Sequence, residues 1–217
     1  MKKKFKKAVA VVLTVAMAMS VGVPAFAAEE LSKETQVQAN EVMAEFMLDS
    51  EAFVSALNQV ASQEAIRTTW GVQERQEVRE LTLDNGITII NTRTLTVNAD
   101  NSRNIEDEFG FQYAGIPGGL GSIIAEYEFF YETIDSPNQM KTMVIYAGGY
   151  DRDLDDFYYE FIDADGHWDN KSSYTETASV DFYLEFRPAI TIGWQEVEYT
   201  HTCTFDKYGS YTMRWFE

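Results

Sequence analysis

A single cysteine, Cys203, stands in a chain of 217 residues, so no disulfide can close within it and an apolar core has to carry the fold. Only two histidines, His167 and His201, accompany it, and the Cys/His clusters that hold zinc are absent. No Gly-x-Ser-x-Gly occurs, which removes the strand-to-helix elbow of a serine hydrolase. The glycines between 110 and 121 lack the Lys and Ser/Thr of a phosphate-cradling loop, so nucleotide binding is unsupported. Positive charge is also short: 17 Lys+Arg face 35 Asp+Glu, a net charge of −18. Such a surface repels phosphate backbones and anionic headgroups, which argues against nucleic acid and in favour of cationic or basic partners.

Long apolar runs are confined to the N-terminus. Lys2, Lys3, Lys4, Lys6 and Lys7 precede the apolar stretch Ala8 to Val23, and Pro24 leads into Ala25-Phe26-Ala27. Basic region, apolar region and small-residue site together predict a cleavable signal peptide over residues 1–27, cut before Ala28. A membrane anchor needs about 20 apolar residues, and no second span follows, so no stable membrane insertion is expected after cleavage. Loss of the five leader lysines leaves 12 Lys+Arg against 35 Asp+Glu, a net charge of −23. The expectation is a secreted, extracellular protein. Its lack of disulfides fits Gram-positive bacterial export, and the lysine-rich leader is similar in style to Gram-positive signals.

Residues 28–63 read as an N-terminal helical segment. From Leu31 to Ser62 there is no Gly or Pro, and Val42, Phe46, Phe53, Leu57 and Val60 recur at helical spacing. Asp49-Ser50 is placed to cap a second helix. The stripe either covers the chain's own core or, with Met43, Phe46 and Met47 exposed, meets a partner. After a connector from Gln63 to Gln76, residues 77–217 read as an antiparallel β domain. Asp84-Asn85-Gly86 turns a hairpin. Ile123, Ala125, Tyr127, Phe129 and Tyr131 alternate with glutamates, as Val180, Phe182, Leu184 and Phe186 do with polar residues. Asp163-Ala164-Asp165-Gly166 reads as a turn, and a phase switch near Gly193 as a bulge or bend. Residues 98–121, rich in Asn, Gly and Pro, read as one long loop, the best place to look for function. The fold class expected is α+β, mainly β: an antiparallel β-sandwich or barrel of about eight strands preceded by a helix or helix pair.

Three constellations bear on chemistry. Asp151, Asp153 and Asp155 have the odd spacing with which carboxylates open a calcium loop. The loop's glycine position is Asp156 and its bidentate-glutamate position Ile162, so a solvated acidic turn is the simpler reading. Asp163, Asp165 and Asp169 form a second acidic cluster that a turn explains without metal. On the next predicted strand, His201 and Cys203 share a face. Thr202-Cys203, Arg214 and the upstream His167 stand in an order that resembles cysteine transpeptidases of the sortase type, and the resemblance implies Cys203 as nucleophile. It covers four residues; the family's Thr-Leu-x-Thr-Cys strand lacks its leucine here, and a cleavable leader replaces the usual anchor. A buried structural cysteine accounts for Cys203 more simply, since a reactive thiol needs an electropositive setting. Among the aromatics, Trp168, Tyr158 and Tyr183 are the ligand-contact candidates, Trp168 first because it follows the predicted turn. The function expected is a secreted, non-enzymatic module binding an extracellular protein or glycan. The alternatives are an extracellular hydrolase or cysteine transpeptidase-like enzyme and a calcium-stabilised structural domain.

Overall fold

The computed structural model describes residues 33–100, 102–113, 119–133, 140–152, 159–172, 175–186, 195–206 and 210–217. The leader, Asp153, Asp155, Tyr158 and the expected phase switch near Gly193 lie outside them.

The Gly- and Pro-free stretch forms two helices, α1 (Lys33–Leu48) and α2 (Ser50–Ser62). They divide at Asp49, whose carboxylate accepts a hydrogen bond from the Ala52 N–H at 3.1 Å and so satisfies an orphan donor of the new helix. Met43, Phe46 and Met47 of α1 are buried, as are Phe53, Ala56, Leu57 and Val60 of α2, so the stripe faces the chain's own core.

Ten strands follow. The first six are β1 (Arg67–Trp70), β2 (Glu74–Thr82), β3 (Ile87–Val97), β4 (Ser102–Tyr113), β5 (Ser122–Thr133) and β6 (Met140–Arg152). They pair antiparallel in sequence order as one sheet. The other four are β7 (Tyr159–Ser172), β8 (Thr175–Phe186), β9 (Gln195–Asp206) and β10 (Tyr211–Phe216), again an antiparallel meander. The architecture is thus α+β and mainly β, a helix pair preceding two antiparallel sheets.

Two sequence expectations give way. Residues 98–121 are not one loop, because β4 occupies their middle. Asn104 and Gly110 lie inside that strand, and turns close its two ends: Asn98 N–H donates to the Ser102 carbonyl (2.8 Å) and Ser102 N–H to the Asp100 carboxylate (2.9 Å). At the far end Gly119 and Gly121 take φ of 88° and 95°, values that favour glycine. Between them Ile105, Phe109 and Phe111 alternate into the core. Likewise Asp163–Gly166 is no turn but the interior of β7, in register with Tyr183–Val180 of β8. A Cβ on Gly166 would collide with the carbonyl of Ala147 in β6, and one on Gly149 would come within 2.7 Å of the Phe182 ring. Glycine serves there to bring β6 against β7 and β8, closing one side of the sandwich.

The side chains between the sheets are largely aromatic. Phe109 meets Trp215 edge-on at 5.2 Å between centroids, Phe129 meets Phe205 at 4.3 Å, and Phe53 of α2 stacks on Phe111 at 5.9 Å and reaches Tyr199 at 4.6 Å. Each such ring contributes about 1.5–3 kcal/mol through burial. The helix also meets the end of the second sheet: the Asn58 amide donates to the Trp215 carbonyl and accepts from the Trp215 N–H, both at 2.9 Å. One side chain thereby satisfies edge-strand groups of β10.

Candidate functional site

Polar residues stand at core positions of adjacent strands. Arg79 on β2, Asn91 and Arg93 on β3 and Asp107 on β4 are buried on the inner face, where Arg93 lies directly opposite Asp107. The Asp107 carboxylate, fully buried, accepts from Asn91 Nδ2 at 2.7 Å, Arg93 Nε at 3.1 Å and Arg93 Nη2 at 2.9 Å. Arg79 continues the chain to Asn91 Oδ1 (3.3 Å), to the Gln63 carbonyl (2.8 Å) and to Glu77 (2.6 Å), which Arg75 also pairs. From the second sheet His201 brings Nε2 to 3.2 Å from Asp107 Oδ2, a close polar contact without the alignment of a hydrogen bond. On the other side of that ring, Nδ1 stands 2.8 Å from the Tyr127 hydroxyl of β5. The Tyr127 hydroxyl also donates to the His201 backbone carbonyl at 2.9 Å, so one phenol meets both the ring and the main chain of His201.

Electrostatics follow from this packing. Burial alone would raise the Asp107 carboxyl, but the Arg93 guanidinium and then His201 overcome it and hold the group below the usual carboxylate range. Burial lowers His201 despite its contact with Asp107, so the imidazole is kept neutral. Burial first, with Cys203, Asp107 and Asp181 adding to it, raises Tyr127 well above the ordinary phenol value. Carboxylate, imidazole and hydroxyl stand in the order of an acid–base relay, yet all three side chains are buried between the sheets. What the arrangement does is join β3, β4 and β5 to β9 through charge and hydrogen bonds.

Only some of the residues singled out from sequence lie among the described residues. Trp168 lies within β7 rather than after a turn, its backbone in register with Ala178 of β8, and Tyr183 of β8 is half-buried. Tyr158 is outside the described residues. Asp151 sits on β6 opposite Ile123, while its companions Asp153 and Asp155 fall outside the described residues; among those that are described, no cluster of metal-holding side chains forms. Cys203 is fully buried, and burial pushes its thiol well up, Arg93 pulling it down less than that. Its register partner is Met213, whereas Thr202 pairs with Arg214 and, across β8, Ser179 with His167, so Cys203 is set one residue off the row of the other three. His167 is 62% exposed and lies 3.4 Å from Asp181.

What sequence reasoning passed over is the β1–β2 hairpin. β1 is exposed at all four positions, and Ile66, Trp70 and Val72 are 59%, 71% and 103% exposed. Arg75 lies over the Trp70 ring at 4.4 Å and leaves the rest of the indole to solvent. Trp70 was legible as one of four tryptophans, but its exposure depends on β1 ending the sheet.

Compared with protein-family models, curated proteins and solved structures, the chain matches none of them.

Proposed function

We propose that this chain is a non-enzymatic interaction module that acts outside the cell and docks a protein partner along the open edge of its six-stranded sheet. The observation that carries the reading is the hairpin of β1 and β2. Of the seven large apolar side chains exposed among the described residues, three fall between 66 and 72, beside a strand that no other described strand pairs on its outer side. Unpaired edges are templates for another strand, and grouped apolar exposure marks a binding surface. The groups able to do chemistry argue the other way for an enzyme: Cys203 is buried with a raised pKa, and the Asp107–His201–Tyr127 relay is sealed in the core. A protein is the better partner than a glycan, because the exposed group at the hairpin, Ile66, Trp70 and Val72, offers a single ring for stacking and Arg75 already lies over it.

The test offers extracellular proteins from the native culture medium, and separately a glycan array, to the immobilised wild-type protein and to Trp70→Glu. A protein retained by the wild type and lost with Trp70→Glu supports the reading. Glycan binding that Trp70→Glu leaves intact, or turnover of a cell-wall peptide that Cys203→Ala abolishes, sinks it.

A further inference from the structure

β10 ends the four-stranded sheet, and β9 is its one described strand neighbour. The two pair without a register shift, so the backbone groups of alternate β10 residues point away from β9. Asn58 of α2 shows which set that is. Its side-chain amide donates to the Trp215 carbonyl and accepts from the Trp215 N–H, both at 2.9 Å, so Trp215 faces outward and Met213, two residues back, shares its phase.

At Trp215, then, Asn58 does what the main chain of a fifth strand would do, donating to and accepting from one residue. Nothing in α2 repeats this at Met213. The next residues on that face of the helix are Ala61 and Ser62; alanine has no polar side-chain atom, and the Ser62 hydroxyl donates to the Gln59 carbonyl of its own helix at 2.9 Å. Among the described residues the Met213 N–H and C=O have no hydrogen-bond partner.

Beside them lies an open pocket of about 420 Å³, lined by Asn58, Ala61 and Ser62 of α2 and by Met213 to Phe216 of β10. That is within the range of about 300–1,000 Å³ in which proteins hold ligands. The one charged side chain among the lining residues is Arg214, which is exposed and makes no ion pair with a described residue. Glu64 and Glu217, the acidic residues nearest in sequence, are exposed and do not line it.

We infer that this edge is a second binding site, which takes an extended polypeptide segment as a fifth strand along β10 and sets an acidic side chain of that segment against Arg214. A polypeptide main chain is the ligand whose donor and acceptor match those of Met213, and Asn58 already holds the first place in that ladder. Main-chain bonds give affinity whatever the sequence, while the guanidinium of Arg214 selects among segments by charge. The site belongs to the other sheet from the β1 edge and does not rest on the docking proposed there.

The experiment begins with amide hydrogen exchange of the free protein, in which Met213 exchanges freely while Arg214 and Trp215 are protected. A phage-displayed library of linear peptides is then selected on the wild type and on Arg214→Glu, a change at an exposed side chain that leaves the melting midpoint unchanged. Peptides taken by the wild type are rich in Asp and Glu, protect Met213 when bound, and bind Arg214→Glu at least about tenfold more weakly. N-methylation of alternate residues in such a peptide abolishes binding in one parity and spares it in the other, as a one-sided ladder requires. The inference is overturned by a Met213 amide already protected in the free protein, by a library that yields no binder, by binding that Arg214→Glu does not weaken, or by N-methylation without effect in either parity. Peptides that protect β1 in place of Met213 also overturn it, yet leave the docking edge proposed above standing, so the two readings fail separately.

Discussion

Removing the Asp107 carboxylate is the sharpest perturbation this core offers. The group is fully buried and takes two hydrogen bonds from Arg93, one from Asn91 and a close polar contact from His201. Asp107→Asn keeps the shape but leaves the Arg93 guanidinium, itself nearly sealed from water, without a counter-charge. Breaking a buried ion pair from one side costs about 3–5 kcal/mol, a large share of the roughly 5–15 kcal/mol that holds a domain together. For a chain of this size the midpoint of thermal unfolding moves about 2–4 °C per kcal/mol, so a fall of about 6–20 °C is expected. Asn91 is not orphaned, because its Nδ2 also reaches the Glu108 carbonyl at 3.3 Å. The assay is urea unfolding followed by tryptophan fluorescence, Trp215 lying 4.7 Å from the His201 ring and so reporting on this part of the core. Arg93→Met and the double variant Arg93→Met/Asp107→Leu complete a cycle. With both ions gone nothing charged is stranded, and the double variant recovers at least about 2 kcal/mol of the summed losses. An Asp107→Asn variant destabilised by less than about 1 kcal/mol, or a double variant as costly as the two singles added, would refute the claim that charge pairing joins these strands.

Acid should weaken the fold in two stages. His201 is lowered in the folded state, so its contribution is complete above the unfolded value of about 6.5 and declines as pH falls below it, because the unfolded chain takes the proton first. Asp107 is also lowered, and its contribution, present above about 3.9, is lost as pH drops through its folded value. His201→Gln should flatten the pH dependence of the melting midpoint between about pH 7 and 5 while leaving the lower stage, and an unchanged slope counts against the assignment. Cys203 should resist a thiol reagent in the native protein and react fully once unfolded; rapid native labelling would mean that the burial is wrong. Gly166→Ala should cost about 1–3 kcal/mol or more by forcing β6 and β7 apart at the Ala147 carbonyl, and a variant as stable as wild type would remove that closure. Calcium or chelator should leave the melting midpoint unchanged, whereas a rise with calcium would support the calcium reading of Asp151, Asp153 and Asp155.

The legible parts of the fold were those whose signal is periodic and local. Helical spacing and the Asp49 cap located both helices, and strict alternation from Ile123 onward located β5. The misreadings share a physical cause: residues enriched in turns also serve sheets. Gly110 and Asn104 lie inside β4 and Gly166 inside β7, where a missing side chain lets another backbone approach or a polar side chain simply faces out. Composition flagged these segments as loops, while the parity of Ile105, Phe109 and Phe111 pointed to a strand.

The buried network shows why its own signal was hard to use. On β3 the core parity runs Ile87, Ile89, Asn91, Arg93, and on β4 Ile105, Asp107, Phe109, Phe111. Read singly, Asn91, Arg93 and Asp107 interrupt the apolar pattern and weaken each strand. Register removes the contradiction, because it places Arg93 opposite Asp107 and Asn91 one step along. Polar residues at matching core positions of neighbouring strands are therefore readable as a cluster only once pairing is known, and pairing is the long-range fact that one sequence withholds. The same holds for the open edge. Arg67 to Trp70 looks like any connector, and only the order of the sheet makes it an edge strand, paired with β2 alone among the described residues. Both features depend on topology, one by putting opposite charges together in the core and the other by leaving Trp70 outside it.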